Sequence, residues 1–317
     1  MNILIADKFP ANYIEKLKSL GHKVTFDPDL NGGTLARALI DVEVLVVRST
    51  EVRKPVFESA KSLKLVIRAG AGVNTIDVKE AAAAGIAVAN TPGMNAIAVA
   101  ELVFGLILAI DRKIPENIED LKKGVWNKKK YGKAQGLYGR IIGVWGVGNT
   151  GKEVVKRAKA FGMTVNAFDV MLSRETAIEM GVNFYNNPID MARDSDIITI
   201  HIPLIKGGTY HLIDEKVFAV MKPGAILIDC SRGGIVDEAA MVKAMKEKGI
   251  RVGKDVYESE PESDNGEFHC ECAGLSGFYG THHIGASTEQ AQEAVAQEVV
   301  RIIQTFAESG KVLHRVN

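Results

Sequence analysis

The run Gly146-Val147-Gly148-Asn149-Thr150-Gly151 lies between an apolar stretch, 140–147, and a helical pattern over 152–161. No other feature restricts the fold of this chain as much. A G-x-G-x-x-G turn that closes a strand and opens a helix is the start of a βαβ unit built to take a dinucleotide. Gly146 permits the tight turn, Gly148 lets the backbone approach a pyrophosphate, and Gly151 lets helix and strand pack closely. The helix start offers free N–H groups and a partial positive charge to phosphate. A second strand, 164–168, ends at Asp169, 18 residues after Gly151. That is near the spacing of about 20 expected of a ribose-binding acid. A carboxylate there accepts both ribose hydroxyls and repels a 2′-phosphate, so NAD is expected over NADP.

Around this unit, short apolar runs alternate with helical patterns. Strands are expected at 2–6, 44–47, 64–67 and 86–89. Helices are expected at 10–20, stopped by Gly21, and at 76–84, capped by Thr75 and stopped by Gly85. Such alternation builds parallel sheets covered by helices. A long helix over 95–110 follows Thr91-Pro92-Gly93, and its circumference is apolar beyond what one core face needs, so it is expected to pair two copies of the chain. A basic stretch, 122–133, holds Trp126 and Lys128 and reads as an arm between elements. The last helix, 288–307, is amphipathic and can return to the first series, leaving that domain discontinuous.

Composition narrows the function. Lys+Arg is 39 and Asp+Glu is 39 in 317 residues. Without a basic excess, neither nucleic acid nor an anionic membrane is the expected partner. The most apolar stretch, 96–110, carries Glu101 and is shorter than the roughly 20 residues that cross a bilayer. The N-terminus reads as a strand, not a signal peptide. Cysteines stand only at 230, 270 and 272; so low and odd a count fits a reducing cytoplasm with free thiols. His269-Cys270-Glu271-Cys272 lacks the second pair that a structural zinc site needs, so no metal is expected.

Three further loops carry candidate chemistry. The strand 225–229 runs into Cys230-Ser231-Arg232-Gly233-Gly234, which sets a guanidinium at the carboxyl edge of the sheet, where it can hold a carboxylate at two points. The run 255–261, from Asp255 to Glu260-Pro261, follows another short strand and offers carboxylates. His282-His283 precedes the last helix, and histidine is the natural proton carrier near neutrality.

In combination these segments resemble the D-isomer-specific 2-hydroxyacid dehydrogenase family, over nearly the whole chain. The likeness rests on Arg68-Ala-Gly-Ala-Gly-Val, Asn90-Thr-Pro-Gly, the 146–151 turn, Ser231-Arg-Gly-Gly-Ile-Val-Asp-Glu, Asp255-Val-Tyr-Glu-Ser-Glu-Pro and His283-Ile-Gly-Ala-Ser. It implies Arg232 as the substrate-orienting residue, His283 as acid/base and Glu260 as its carboxylate partner. It implies NAD contacts from Asn149, Thr150, Asp169, Ile202, Cys230, Ser231, Asp255, Gly285 and Ala286, and from Ala71 in the loop Gly70-Ala71-Gly72. Gly70 and Gly72 would face the substrate, as would Arg48, Arg68 and Lys128, whose charges suit a phosphate.

The resemblance is greatest to the family's phosphoglycerate branch, which implies 3-phosphoglycerate as substrate, serine biosynthesis as setting and a homodimer; no separate regulatory domain is expected after Asn317. Glyoxylate, hydroxypyruvate and D-lactate stay open as substrates, as does a non-catalytic NAD-sensing protein. The chain departs from the family at His282, where proline is usual, and at Asn74, where aspartate is usual. The expected architecture is two Rossmann-like, doubly wound parallel-sheet domains with a cleft between them. Residues 1–98 and 287–317 would bind substrate, and 99–286 would bind NAD.

Overall fold

The computed structural model describes residues 1–205, 207–261 and 266–317. The chain divides into two compact units, Met1–Asn95 with Ala286–Asn317, and Ala96–Gly285.

The first unit holds five strands: β1 (Asn2–Ile5), β2 (Lys23–Phe26), β3 (Val44–Val47), β4 (Leu65–Arg68) and β5 (Ala87–Asn90). All pair in parallel, in the order β2-β1-β3-β4-β5. Side chains alternate across a strand, so each strand feeds two cores. Leu4, Leu45, Val66 and Val88 pack on one face with Leu35, Val56 and Phe57. Ile3, Ile5, Val46 and Ile67 pack on the other with Val299, Val300, Ile302 and Ile303 of the last helix, Glu289–Ser309. The tail then covers the edge of β5: the Val316 N–H donates to the Val88 carbonyl at 2.9 Å. The Asn317 side chain accepts from the Val88 N–H and donates to the Ile86 carbonyl. A covered edge cannot pair with another chain.

One helix starts later than its pattern suggests. It runs over Val78–Ala83, and Thr75 does not cap it. Val52 and Ile76 form a β-bridge instead, which keeps the chain extended through Asp77. The Asp77 carboxylate takes the Lys54 N–H and the Arg53 guanidinium.

The second unit holds β6 (Ile141–Trp145), β7 (Thr164–Phe168), β8 (Asn183–Phe184), β9 (Ile197–Ile200), β10 (Ile226–Asp229), β11 (Arg251–Lys254) and β12 (Phe278–Gly280). They too are parallel, in the order β12-β11-β10-β9-β6-β7-β8. This is the Rossmann order with one strand added, and it reverses between β6 and β9, where open sheets bind ligands. One core packs Val103, Phe104, Ile107 and Ile110 of the helix Ala96–Arg112 against Val144, Ile226 and Ile228. The other joins Trp145, Ile198, Leu227 and Val252 to Phe218, Met241 and Met245.

Much of the helix Ala96–Arg112 is buried inside its own unit, although Ile97 stays exposed. Further exposed apolar side chains follow it: Ile114, Ile118, Leu121, Val125 and Trp126. One expectation is corrected here. Cys270 and Cys272 are not free thiols but are joined as a disulfide. The 3-10 turn Glu271–Gly274 brings their Cα atoms to 5.2 Å, within disulfide reach. Part of the connection between Glu260 and this turn, 262–265, lies outside the described residues. Among the described residues no helix is long and apolar enough to cross a membrane.

Candidate active site

The glycine turn is built by close contacts. Gly146 follows β6 with φ +96°, and its N–H donates to the Phe168 carbonyl at 2.8 Å. A Cβ on Gly146 would meet the His201 carbonyl oxygen at 2.5 Å and the Ile202 side chain at 2.7 Å. A Cβ on Gly151 would meet the Gly146 oxygen at 2.0 Å, whereas one on Gly148 would meet nothing within 4 Å. The helix Asn149–Ala160 begins at once after Gly148, a turn earlier than its apolar pattern, because polar Asn149 and Thr150 form its first turn. Its first backbone bond runs from the Lys152 N–H to the Gly148 carbonyl, so the N–H groups ahead of it face outward. Asp169 is fixed beside the turn, accepting from the Val147 N–H at 2.7 Å and the Met171 N–H at 2.8 Å. Open space at Gly148, a free helix start and an anchored acid at the end of β7 fit a dinucleotide. Burial lowers the His201 imidazole to about 3, so that ring is neutral at any working pH.

At the ends of β10 and β11 the candidate chemical groups come together. Asp229 Oδ1 accepts from the Ser231 N–H at 3.0 Å and the Ser231 hydroxyl at 2.5 Å. The Arg232 guanidinium donates to the Ser231 carbonyl at 2.6 Å. Burial draws its pKa down, while the Glu260 and Asp229 carboxylates oppose the shift. A Cβ on Gly233 would fall 1.8 Å from the Tyr257 carbonyl oxygen, so the arginine turn lies directly on the loop that carries Glu260. Cys230 is buried, and its thiol is pushed well up by burial and by the nearby Asp255 and Asp229 carboxylates.

Glu260 Oε2 lies 2.7 Å from His283 Nδ1, and its Oε1 accepts from the Tyr257 N–H at 2.7 Å. Burial raises the Glu260 carboxyl, but His283, the Tyr257 N–H and the Lys254 ammonium outweigh it and hold the group below the ordinary carboxylate range. His283 has φ +51°, a left-handed backbone uncommon outside glycine. Asp255 accounts for that turn. Its carbonyl accepts from the His283 N–H, and its carboxylate takes the Thr281 hydroxyl and the N–H groups of Ile284 and Gly285. Ala286 follows at the start of the returning segment. The neighbouring His282 is exposed.

In the first unit, Arg68 Nε donates to the Arg48 carbonyl at 3.1 Å, and the Arg48 N–H donates to Asp7 at 2.6 Å. Arg68 lies over Gly70, since a Cβ there would meet its guanidinium at 1.7 Å. The Ala71 carbonyl, just before Gly72, accepts from the Asn90 side chain at 2.6 Å. Lys128, in the second unit, is exposed at the start of the short helix Lys128–Tyr131.

Sequence reasoning missed five residues around this site. Lys254 is wholly buried between Asp229 and Glu238, and His211 pairs with Glu258 at 2.5 Å. A lysine, a histidine and acids at the ends of elements and in loops read as surface charge; no spacing marks them otherwise.

Residues 104–285 match the family described as D-isomer specific 2-hydroxyacid dehydrogenase, NAD binding domain. The chain is 41% identical over 310 residues to the D-3-phosphoglycerate dehydrogenase of Methanocaldococcus jannaschii, covering 96% of this chain and 58% of that one. It is 41% identical over 278 residues to the hydroxypyruvate reductase of Thermotoga maritima, covering 87% and 88%. The apo structure of D-lactate dehydrogenase from Escherichia coli superimposes with a TM-score of 0.85 at 26% identity, covering all of both chains. The chain spans 51% to 59% of the length of the D-3-phosphoglycerate dehydrogenases it matches from two archaea and Bacillus subtilis.

Proposed function

The chain belongs to the D-isomer specific 2-hydroxyacid dehydrogenases, and from that premise we propose that it interconverts 3-phosphoglycerate and its 2-keto acid using NAD. The observation that carries this reading is the hydrogen bond between His283 Nδ1 and Glu260 Oε2, on a loop that also seats the Arg232 turn. The identity to D-3-phosphoglycerate dehydrogenases over most of the chain supports the choice of substrate. Asn149, Thr150 and Asp169 would hold the cofactor with the glycine turn and Ile202; Cys230, Ser231 and Asp255 would flank its reacting end. When bound, NAD accepts the hydride from C2 in oxidation and returns it in reduction.

The protein's own groups handle the proton and the charge. With Nδ1 bound to Glu260, His283 presents Nε2 to the C2 hydroxyl, takes its proton in oxidation and returns it in reduction. The Glu260 carboxylate orients the ring and stabilises its cationic form. Arg232 holds the substrate carboxylate and the developing carbonyl oxygen by charged hydrogen bonds. Arg48, Arg68 and Lys128, with the Gly70 and Gly72 backbone, are assigned the remaining anionic groups of the substrate. In this reading the first unit is the substrate-binding domain.

A second reading, reduction of the unphosphorylated hydroxypyruvate, is favoured by the Thermotoga maritima relative, of which the chain covers nearly nine-tenths. We also propose a cytoplasmic homodimer, joined through the exposed apolar side chains of Ile114, Ile118, Leu121, Val125 and Trp126. Light scattering at twice the 34.3 kDa chain mass supports that pairing, and a monomer mass refutes it. The function is tested by following NADH loss with phosphohydroxypyruvate, hydroxypyruvate, glyoxylate and pyruvate, in wild type and His283→Gln. Preference for the phosphorylated acid, abolished in the variant, is expected. Preference for hydroxypyruvate selects the second reading; full activity in the variant removes His283 from the chemistry.

A further inference from the structure

Lys254 ends β11 in register with Asp229 at the end of β10, and no part of it reaches solvent. Its ammonium lies 3.4 Å from Asp229 Oδ2, 3.1 Å from Glu238 Oε1 and 5.7 Å above the Tyr257 ring centre. A buried ammonium is tolerated only when its charge and protons are matched. What matches it here also fixes two loops. Through its other oxygen, Asp229 holds the Ser231 N–H and hydroxyl, and the next residue is Arg232. Glu238 Oε1 also accepts from the Glu258 N–H at 3.1 Å, two residues before Glu260. The Lys254 carbonyl takes the Tyr257 hydroxyl and the Thr281 N–H, so the same residue tethers the segment that leads to His283.

We propose that Lys254 is a positioning residue: a buried cation, shared by Asp229 and Glu238, that sets the arginine turn against the Glu260–His283 pair. It touches no reacting atom. Its charge also acts on the pair, since the Lys254 ammonium helps hold the Glu260 carboxyl low. His211 and Asp237 join the same charge cluster from the other side, through the His211–Glu258 pair and the 3.8 Å approach of Asp237 to His211. Among the described residues Lys254 is the fully buried cation beside these acids. The assignment rests on the proposed dehydrogenase reading.

The test compares wild type, Lys254→Met, Glu238→Gln and the double variant. Lys254→Met keeps length and loses charge; kcat should fall about tenfold or more, the worth of a charged hydrogen bond, with KM for NAD little changed. The pH limb of keto-acid reduction should move up in Lys254→Met and down in Glu238→Gln, since one loses a cation and the other an anion. The double variant restores the charge balance and should recover part of kcat and return the limb toward wild type. Amide exchange without substrate gives a second readout: Ser231 and Glu258 should both exchange faster in Lys254→Met, and Glu258 alone in Glu238→Gln. Unchanged kcat and exchange in Lys254→Met overturn the proposal, as does a pH limb that moves the same way in both single variants. If Lys254→Met does not fold, the limb shift and selective exchange of Glu238→Gln decide it. Wild type that reduces no 2-keto acid refutes the dehydrogenase reading, and amide exchange then decides the positioning role alone.

Discussion

Two glycines of one turn should fail in different ways when each becomes alanine. At Gly151 the new methyl would lie 2.0 Å from the Gly146 carbonyl oxygen and 3.0 Å from its carbon, both backbone atoms of a turn already bonded to Phe168. Neither can yield without moving the turn. Overpacking of this kind costs about 1–3 kcal/mol, and alanine returns about 1 kcal/mol in helix propensity. A net loss of up to about 2 kcal/mol lowers the melting temperature by up to roughly 8 °C in a unit of this size. The displaced turn should also weaken NADH binding. At Gly148 a methyl meets nothing within 4 Å, and the backbone there, φ −72° and ψ −154°, is extended and has no positive φ to strain it. Gly148→Ala should therefore melt with wild type yet bind NADH at least about tenfold more weakly, because the methyl stands where the pyrophosphate must approach. Differential scanning fluorimetry and NADH fluorescence titration read the two quantities. Wild-type NADH affinity in Gly148→Ala, or equal melting losses in both variants, would refute the reasoning.

Three further outcomes follow from the same geometry. Asp169→Ala should weaken NAD use and narrow its lead over NADP, since the ribose loses its acceptor and a 2′-phosphate loses a repulsive charge; a wild-type preference for NADP in steady-state kinetics would contradict this. Arg48→Ala should raise KM for 3-phosphoglycerate about tenfold to a hundredfold, and far less for an unphosphorylated 2-hydroxy acid; equal losses on both would make its role structural. Glu260→Gln removes the carboxylate that favours the His283 cation. Reduction needs that cation, so its basic limb should move to lower pH, and the acid limb of oxidation should move the same way. A profile that does not move would separate Glu260 from the proton chemistry. Because the Glu260 carboxyl is held low in the folded protein, its stabilising contribution is present above its ordinary value of 4.5 and fades as pH falls through the depressed one.

The parts of this molecule that repeat a local rule could be read in the chain. Strands β3 and β7 fall on their apolar runs to the residue, and the last helix starts at Glu289, one residue after its expected start. The glycine turn and its acid were readable because both depend on spacing along one βαβ unit. Thr75 misled because its neighbour Ile76 is drawn into a bridge with Val52, a contact made across 24 residues of sequence. The apolar circumference of the helix Ala96–Arg112 is used in large part inside its own unit, which sequence cannot tell from a face awaiting a second chain. Lys254 could not be found at all. Its burial depends on Asp229 and Glu238, which reach it from another strand and another helix. Likewise Asp255 reads as a free acid until three loop groups are seen to close on it.

Direct proof of the reaction is the fate of the hydride. The protein is incubated with phosphohydroxypyruvate and NADH carrying two deuterons at C4, and the product is examined by mass spectrometry, NMR and chiral chromatography. The account predicts 3-phosphoglycerate of D configuration with one deuteron at C2, formed by wild type and not by His283→Gln. Product without deuterium at C2, or of L configuration, or no reduction of any 2-keto acid, would contradict it.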